Sequence, residues 1–166
     1  MYKRQVVTSI VVVVLLFTFL FRVVNVNGQS MEDTIHNEDK VLLTNLFYEP
    51  ENGDVVVISR AQHFEEPIIK RVIATEGQTL KIDFNTGDVY VDGVLLDEPY
   101  IKTPTTDNEG GEIPEVIPEG YVFVMGDNRG NSLDSRSEQI GLIDKRNIIG
   151  KAQYIVFPFD RIGGIG

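Results

Sequence analysis

The sequence predicts a mainly β domain of antiparallel strands preceded by one membrane-spanning helix. Three observations predict this class: an apolar run of membrane length near the N-terminus, hydrophobic alternation of period two after it, and turn signals rich in Gly, Asn and Asp. The 142 residues after the run suit one domain with a hydrophobic core. We expect a cytoplasmic N-terminus over 1–5, a transmembrane helix over 6–24 and an extracytoplasmic β-rich domain over 25–166.

The run over 6–24 is apolar apart from three hydroxyl residues and Arg22, and its nineteen residues would span roughly 28 Å as a helix. Lys3 and Arg4 precede it, so the positive-inside rule places the N-terminus in the cytoplasm. We expect a single-pass protein of the plasma membrane. The alternative is a cleaved signal peptide with small residues near Gly28, but the apolar core is longer than the roughly 7–15 residues usual for one.

Composition excludes several classes of function. The chain after residue 24 carries 12 basic and 25 acidic residues, a net charge of −13, so nucleic acid is a poor partner. The absence of cysteine excludes disulfides, thiolate metal sites and cysteine nucleophiles. We expect neither a cofactor nor a metal ion.

Alternating and continuous apolar segments predict the strands, taken in chain order. They lie at 55–58, 80–84, 89–91, 94–96, 121–125 and 154–157. Asn85 to Asp88 and the pair Asp92-Gly93 predict hairpin turns between the second, third and fourth of these. The stretch 103–120 is rich in Thr, Gly, Glu and Pro and predicts an exposed loop.

Ser30 follows the apolar run so closely that a nucleophile there would act at a bilayer surface. A serine hydroxyl is a weak nucleophile and needs a neighbouring base. The chain has two histidines, His36 and His63, so a Ser-His-Asp triad is possible but has few candidates for its histidine. The G-x-S-x-G elbow also fails, because Glu32 stands at its last position. A lysine base is the alternative, and Lys70 is the candidate.

Lys70 would have to be neutral to act as a base, which requires an apolar setting. The segment 67–73 offers one, and strand alternation sends Lys70 and Arg71 to opposite faces, so one can be buried while the other is solvated. Lowering the lysine pKa from about 10.4 to about 8 requires roughly 3 kcal/mol. A lysine in a strand is ordinarily solvated, so its surroundings decide its role.

The segment 126–136 combines acids, two arginines and two serines. Such a composition is typical of a polar turn after a strand. It also suits a fixed hydrogen-bond network beside a catalytic pair, and the residues alone leave both interpretations open. A calcium loop fits less well, because Arg129 occupies a position that needs an oxygen ligand.

Four segments resemble the motif boxes of bacterial type I signal peptidases, in the order that this family shows. They are 28–31, 53–56, 70–73 and 126–136, and the ending with 149–152 and 157–159 is similar as well. The resemblance covers essentially the whole chain. It implies a membrane-anchored serine endopeptidase that removes signal peptides from exported preproteins after Ala-x-Ala-like sites. The implied partners are these signal peptides, membrane lipid and nearby export machinery.

The resemblance also assigns roles by position. Ser30 would be the nucleophile and its backbone N–H an oxyanion donor. Lys70 would be the general base, and Ser132 would supply the hydroxyl that orients it. The residues that match the site-supporting charged pairs are Asp127, Arg129, Asp134 and Arg136.

This sequence departs from the family pattern at two positions. Some relatives place a hydroxyl for the oxyanion two residues before the nucleophile, where this chain has Gly28. The family usually has proline three residues after the nucleophile, where this chain has Asp33. Loss of the proline frees the local backbone and adds a charge, so the geometry after Ser30 is less constrained.

The resemblance further implies that the substrate binds extended, by strand addition, between the segments that precede Ser30 and Lys70. Small side chains at the first and third positions before the cut would enter shallow apolar pockets. The residues expected to line them are Val24, Val26, Met31, Ile35 and Ile69. Met31 and Ile35 also fit a plain core role.

Two noncatalytic alternatives stay open at this stage. One is a signal-peptidase-like assembly factor without activity, against which the intact Ser30 and Lys70 argue. The other is a membrane-anchored β domain that only binds a partner, with a structural polar loop. Cleavage of an Ala-x-Ala peptide separates both from an enzyme.

Overall fold

The computed structural model describes residues 2–165, with the backbone alone for 13–20, so Met1 and Gly166 lie outside the described residues. Within this range, one helix, α1 (Tyr2–Leu20), precedes eleven strands. These are β1 (Phe21–Asn25), β2 (Lys40–Thr44), β3 (Val55–Ile58), β4 (Ile68–Thr75), β5 (Leu80–Asp83), β6 (Asp88–Val91), β7 (Val94–Leu95), β8 (Tyr121–Met125), β9 (Ile143–Asp144), β10 (Ile148–Phe157) and β11 (Gly163–Gly164). The prediction of a mainly β fold is confirmed.

The strands form two antiparallel sheets. The larger sheet has the order β1-β2-β10-β3-β4-β8-β9, and β11 pairs with β10 beside this path. The smaller sheet has the order β5-β6-β7. Strand β10 pairs with β2 and with β3, and its register shifts between Ile148 and Gly150 and at two points farther along. Such bulges bend a strand, and this bending curls the larger sheet.

The N-terminal part differs from its prediction. The helix ends at Leu20, and Phe21–Asn25 is strand β1, paired with β2 in register from Phe21 opposite Thr44 to Asn25 opposite Lys40. Valines and a phenylalanine favour this extended pairing. Among residues 2–165, no helix combines the length and apolar character that crossing a membrane requires. The structure therefore does not support the transmembrane helix predicted over 6–24.

The central strands agree closely with the sequence prediction. Strands β3 and β8 have the predicted bounds, and the β5-β6-β7 meander turns at the two predicted hairpins. Strand β10 is ten residues long and begins six residues before the predicted start at 154. Strands β1, β2, β9 and β11 have no counterpart among the predicted strands.

Both faces of the larger sheet are buried at its centre. On β3, Val55 and Val57 belong to one hydrophobic cluster, whereas Val56 and Ile58 belong to another. A third cluster surrounds Phe123 and is closed by the smaller sheet. A strand covered on two faces is apolar along its whole length, which explains the continuous run over 55–58.

One stretch of β4 has an open edge. Residues 68–70 pair with β3, but the pairing of β4 with β8 begins only at Arg71, opposite Met125. Among the described residues, no strand pairs with the other side of Ile68 to Lys70. Strand β1 is likewise at the edge of its sheet. Two strand edges therefore lie near the segment that carries Ser30.

Phe123→Ala is expected to destabilise the domain by about 3–5 kcal/mol, because Phe123 is fully buried in the cluster that β8 and the smaller sheet enclose. The measurement is the free energy of unfolding from urea titration. Phe159→Ala is the matched control, since the Phe159 side chain is 78% exposed. Equal losses in the two variants would contradict the assignment of this core.

Candidate active site

The structure brings Ser30 and Lys70 together. Ser30 lies in a turn that follows β1, and Lys70 lies in the third position of β4. The Nζ atom of Lys70 is 2.6 Å from Ser30 Oγ, which is hydrogen-bond distance. Lys70 is only 4% exposed, whereas Ser30 is partly exposed. Solvent therefore reaches the Ser30 hydroxyl but hardly reaches the Lys70 amine that is paired with it.

Burial lowers the pKa of Lys70 from 10.5 to about 8, because the dry surroundings disfavour the ammonium form. The negative charges of Asp134, Asp127 and Glu109 act in the opposite direction and raise this pKa. Desolvation is the larger effect. A substantial neutral fraction of Lys70 therefore exists near pH 8, as a proton acceptor requires.

Arg71, the neighbour of Lys70, is also buried, so the expectation that one of the two is solvated is wrong. Alternation does place them on opposite faces, but both faces of the sheet are covered. Arg71 forms a two-point ion pair with Asp127, with Nε to Oδ1 at 2.9 Å and a terminal nitrogen to Oδ2 at 2.8 Å. Its guanidinium also stacks on Tyr100, 3.9 Å from the ring centroid.

The segment after β8 holds the nucleophile turn through its backbone. The Asn128 N–H donates to the Ser30 carbonyl at 3.0 Å, and the Asn128 side-chain amide donates to the Gln29 carbonyl at 3.1 Å. Gly126 packs so closely that an added Cβ would lie 2.4 Å from the Ser30 carbonyl oxygen and 2.2 Å from Ser132 Oγ. Only glycine fits at position 126.

Ser132 lies in this cluster, but its hydroxyl donates to Asp134 at 2.8 Å. Among the hydrogen bonds of residues 2–165, none joins Ser132 to Lys70, so an orienting role stays a prediction. Asp134 also accepts from the Gly126 N–H at 3.0 Å and from two guanidinium nitrogens of Arg136 at 2.9 Å. Asp134 and Arg136 thus form the pair that the resemblance implies.

Arg129 does not pair with Asp127. It binds Glu98, with a shortest nitrogen to oxygen distance of 2.6 Å, and donates from Nε to the Gly126 carbonyl at 3.0 Å. Sequence reasoning missed Glu98, which lies in no motif box. It missed Arg71 as the partner of Asp127 as well, although the neighbouring motif contained it.

Ser30 can also supply the predicted oxyanion donor. Within the described part of the chain, the Ser30 N–H has no hydrogen-bond acceptor. Gly28 adds no second donor from a side chain, and its own N–H bonds the side chain of Asn37 at 2.8 Å. Its φ of +106° lies in the region that favours glycine, so a hydroxyl residue would be strained there.

The turn after Ser30 is held without the family's usual proline. Thr34 donates from its hydroxyl to Asp127 at 2.5 Å, and the Ile35 N–H donates to the Met31 carbonyl at 2.8 Å. The Asp33 side chain is 73% exposed and lies 3.5 Å from Lys102. The buried anchor of this turn is therefore Asp127, which also binds Arg71.

The five residues expected to line substrate pockets lie together in one hydrophobic cluster. Val26, Met31, Ile35 and Ile69 are buried there, and the partly buried Val24 packs against them. The cluster continues into the core through β2, β3 and β10. These residues lie close to Ser30 and Lys70 in the sequence and in the fold. Their contact with substrate stays a prediction.

A serine hydroxyl within hydrogen-bond distance of a buried amine is the arrangement of hydrolases that use a Ser-Lys pair. The sequence matches the family described as "Signal peptidase, peptidase S26" over residues 1–157. It is 32% identical to signal peptidase I of Bacillus licheniformis, over 97% of this chain and 90% of that protein. It is 37% identical to probable signal peptidase I-1 of Synechocystis, over 95% of this chain and 82% of that protein.

The fold agrees with these matches. A crystal structure of a signal peptidase I from Enterococcus faecalis superimposes with a TM-score of 0.51 at 25% identity, and it covers 63% of this chain and 97% of that chain. The chain belongs to the signal peptidase family, peptidase S26. Its expected class, a serine endopeptidase of the hydrolases, is confirmed.

Arg71→Met is expected to lower the free energy of unfolding by about 3–5 kcal/mol, because it leaves Asp127 charged and buried without its partner. Denaturant titration measures the loss. Arg146→Met removes an ion pair whose arginine is 87% exposed, so its effect should stay below about 1 kcal/mol. Similar values for the two variants would show that the buried pair does not stabilise the site.

Proposed function

We propose that this protein cleaves signal peptides from exported preproteins, after small residues at Ala-x-Ala-like sites, with Ser30 as nucleophile and Lys70 as general base. The observation that carries the proposal is the 2.6 Å contact between Ser30 Oγ and the buried Lys70 amine. The relatives named above bear the name signal peptidase I. No observation favours the noncatalytic alternatives.

The reaction begins with neutral Lys70, which takes the proton of Ser30 Oγ while the oxygen attacks the scissile carbonyl. The Ser30 N–H, which has no acceptor among the described residues, donates to the oxyanion of the tetrahedral intermediate. The Lys70 ammonium then gives its proton to the leaving amine, and the acyl group stays on Ser30 as an ester. Lys70 next deprotonates a water that hydrolyses this ester, which regenerates both side chains.

The residues around the pair support this cycle by holding it in place. Asn128 fixes the carbonyl of Ser30, and Asp127 fixes Arg71, the residue beside Lys70. Geometry held to a fraction of an ångström is what proton transfer between two side chains requires. Ser132 fits a supporting role through Asp134, whose charge raises the pKa of Lys70.

Two features support the extended mode of substrate binding. The backbone of residues 68–70 is unpaired on one side among the described strands, and β1 is an edge strand that leads to Ser30. A peptide added to these edges would place its carbonyl near Ser30 Oγ and its side chains over the apolar cluster of Val26 and Ile69. Because this cluster is tightly packed, small substrate side chains would fit against it.

Contact with membrane lipid and proximity to the export machinery are also part of the proposal. On α1, the side chains of Val6, Val7 and Ile10 are 55%, 60% and 57% exposed, which suits an apolar environment. Lys3 and Arg4 stand at the start of this helix. Signal peptides have an apolar segment of their own before the cleavage site, so lipid would bring enzyme and substrate together.

Ser30→Ala and Lys70→Met are each expected to reduce cleavage of an Ala-x-Ala peptide roughly 10³-fold or more, because each removes one half of the proton-transferring pair. The measurement is kcat/KM of the full-length chain in detergent, with circular dichroism to verify folding. Ser59→Ala and Lys81→Met are the matched controls: Ser59 is a half-buried serine and Lys81 an exposed strand lysine. Appreciable turnover by folded Lys70→Met would refute the lysine base.

The acid limb of the pH profile is expected to have its midpoint near pH 8, since the pKa of Lys70 is lowered to about 8 and only the neutral amine accepts a proton. Below this midpoint kcat/KM should fall roughly tenfold per pH unit. The profile of kcat/KM against pH, with peptide far below KM, measures this limb. An acid limb in the ordinary range of histidine would instead indicate a histidine base, and loss of activity in His36→Gln or His63→Gln would identify it.

A further inference from the structure

The stretch 103–120 is a largely exposed loop, as its composition predicts, but two of its residues are buried and part of it is bound to the site. Thr105 and Ile117 are buried, and the loop folds back onto the turn that carries Asp134 and Arg136. The Gly111 N–H donates to the Arg136 carbonyl at 2.7 Å, and the Arg136 guanidinium donates to the Asp107 carbonyl at 3.2 Å. The loop is therefore fastened to the site's own residues.

Close packing fixes the position of this loop. A Cβ at Gly111 would lie 2.6 Å from the Arg136 carbonyl oxygen, so the two backbones touch. Gly110 forms an isolated β-bridge with Ser137. Glu109 precedes these glycines directly, so the same packing fixes the backbone from which its carboxylate extends.

The Glu109 carboxylate lies beside the guanidinium of Arg136. Its Oε1 is 3.6 Å from a terminal nitrogen of Arg136, and its side chain is only 24% exposed. Its Oε2 is buried and has no hydrogen-bond donor among the described residues. Burial, together with the charge of Asp134, raises the pKa of Glu109, whereas Arg136 and Lys70 lower it.

The charges around Arg136 indicate the role of the Glu109 carboxylate. Asp127 is neutralised by Arg71, while Asp134 and Glu109 share the single positive charge of Arg136. Asp107 is a third acid that acts on Arg136, so with neutral Lys70 the negative charges around Arg136 outnumber its positive charge. When Lys70 accepts the proton of Ser30, its new positive charge offsets part of this excess.

We propose that Glu109 is a positioning residue that supplies the counter-charge for the Lys70 ammonium formed during catalysis, and that it acts through Arg136 and Asp134. This inference rests on the proposed role of Lys70 as base. Glu109 acts on Lys70 electrostatically, because its negative charge raises the pKa of Lys70. The groups that face Lys70 with it are Asp134, Asp127 and Arg136, and Asp107 is a further acid that faces Glu109.

The direction of the effect follows from the charge. An anion beside Lys70 favours the ammonium, so its removal lowers the pKa of Lys70 and moves the acid limb of the pH profile to lower pH. A less basic lysine also accepts the Ser30 proton less readily, so the rate on the alkaline plateau falls. A purely structural role for Glu109 would change the rate at all pH values without moving the limb.

The test is the pH profile of kcat/KM for Glu109→Gln, which keeps the shape of the side chain and removes its charge. We expect the limb to move to lower pH by on the order of 0.5 unit, with a plateau roughly two- to threefold lower. Glu109→Ala should move the limb in the same direction, and Glu109→Asp should restore it in part. Glu112→Gln, an exposed acid on the same loop, is the matched control and should leave the limb in place.

A direct titration separates this inference from the proposed function. In the inactive Ser30→Ala variant, the pKa of Lys70 is measured by NMR of labelled lysine, with and without Glu109→Gln. A lower pKa with Glu109→Gln supports the inference, and an unchanged pKa together with an unmoved limb overturns it. Full activity of Lys70→Met would instead overturn the lysine base, while the titration would still report the charge of Glu109.

Discussion

The buried ion pair between Arg71 and Asp127 is the interaction on which the site depends. It connects β4, which carries Lys70, to the segment after β8, and through the Thr34 hydroxyl it also holds the turn after Ser30. Burying an ion pair costs desolvation free energy, and this cost is offset only when both charged groups are fully hydrogen bonded. Here each carboxylate oxygen has a guanidinium partner, so three distant segments of sequence are fixed at one point.

The lowered pKa of Lys70 has a cost in stability. An unfolded chain would hold the Lys70 proton up to a pKa of 10.5, whereas the folded protein releases it at about 8. Below pH 8 the folded state therefore bears the full burial penalty of the ammonium, roughly 3 kcal/mol, and this penalty disappears as pH rises toward 10.5. The charged form of Lys70 thus lowers the stability of the folded protein at neutral pH.

Local patterns predicted most of the sheet and part of the site. Period-two alternation and turn residues placed β3, β5, β6 and β8, because these depend on neighbours in sequence. The same rule was wrong for Arg71, since alternation gives the face of a residue but not whether that face is covered. Glu98 and Glu109 were missed because their partners lie far along the chain. The apolar run over 6–24 is shared between α1 and β1. The boundary between them depends on the pairing of β1 with β2, which is a tertiary effect that local patterns do not predict.

The open edge of β4 has a further consequence for self-association. An unpaired edge strand can add the edge of a second copy and so begin aggregation. In this chain two exposed acids, Glu65 and Glu66, and Pro67 stand immediately before Ile68. Like charges repel a second identical edge, and proline has no N–H to donate to one. Pairing of two copies of the protein through this edge is therefore disfavoured.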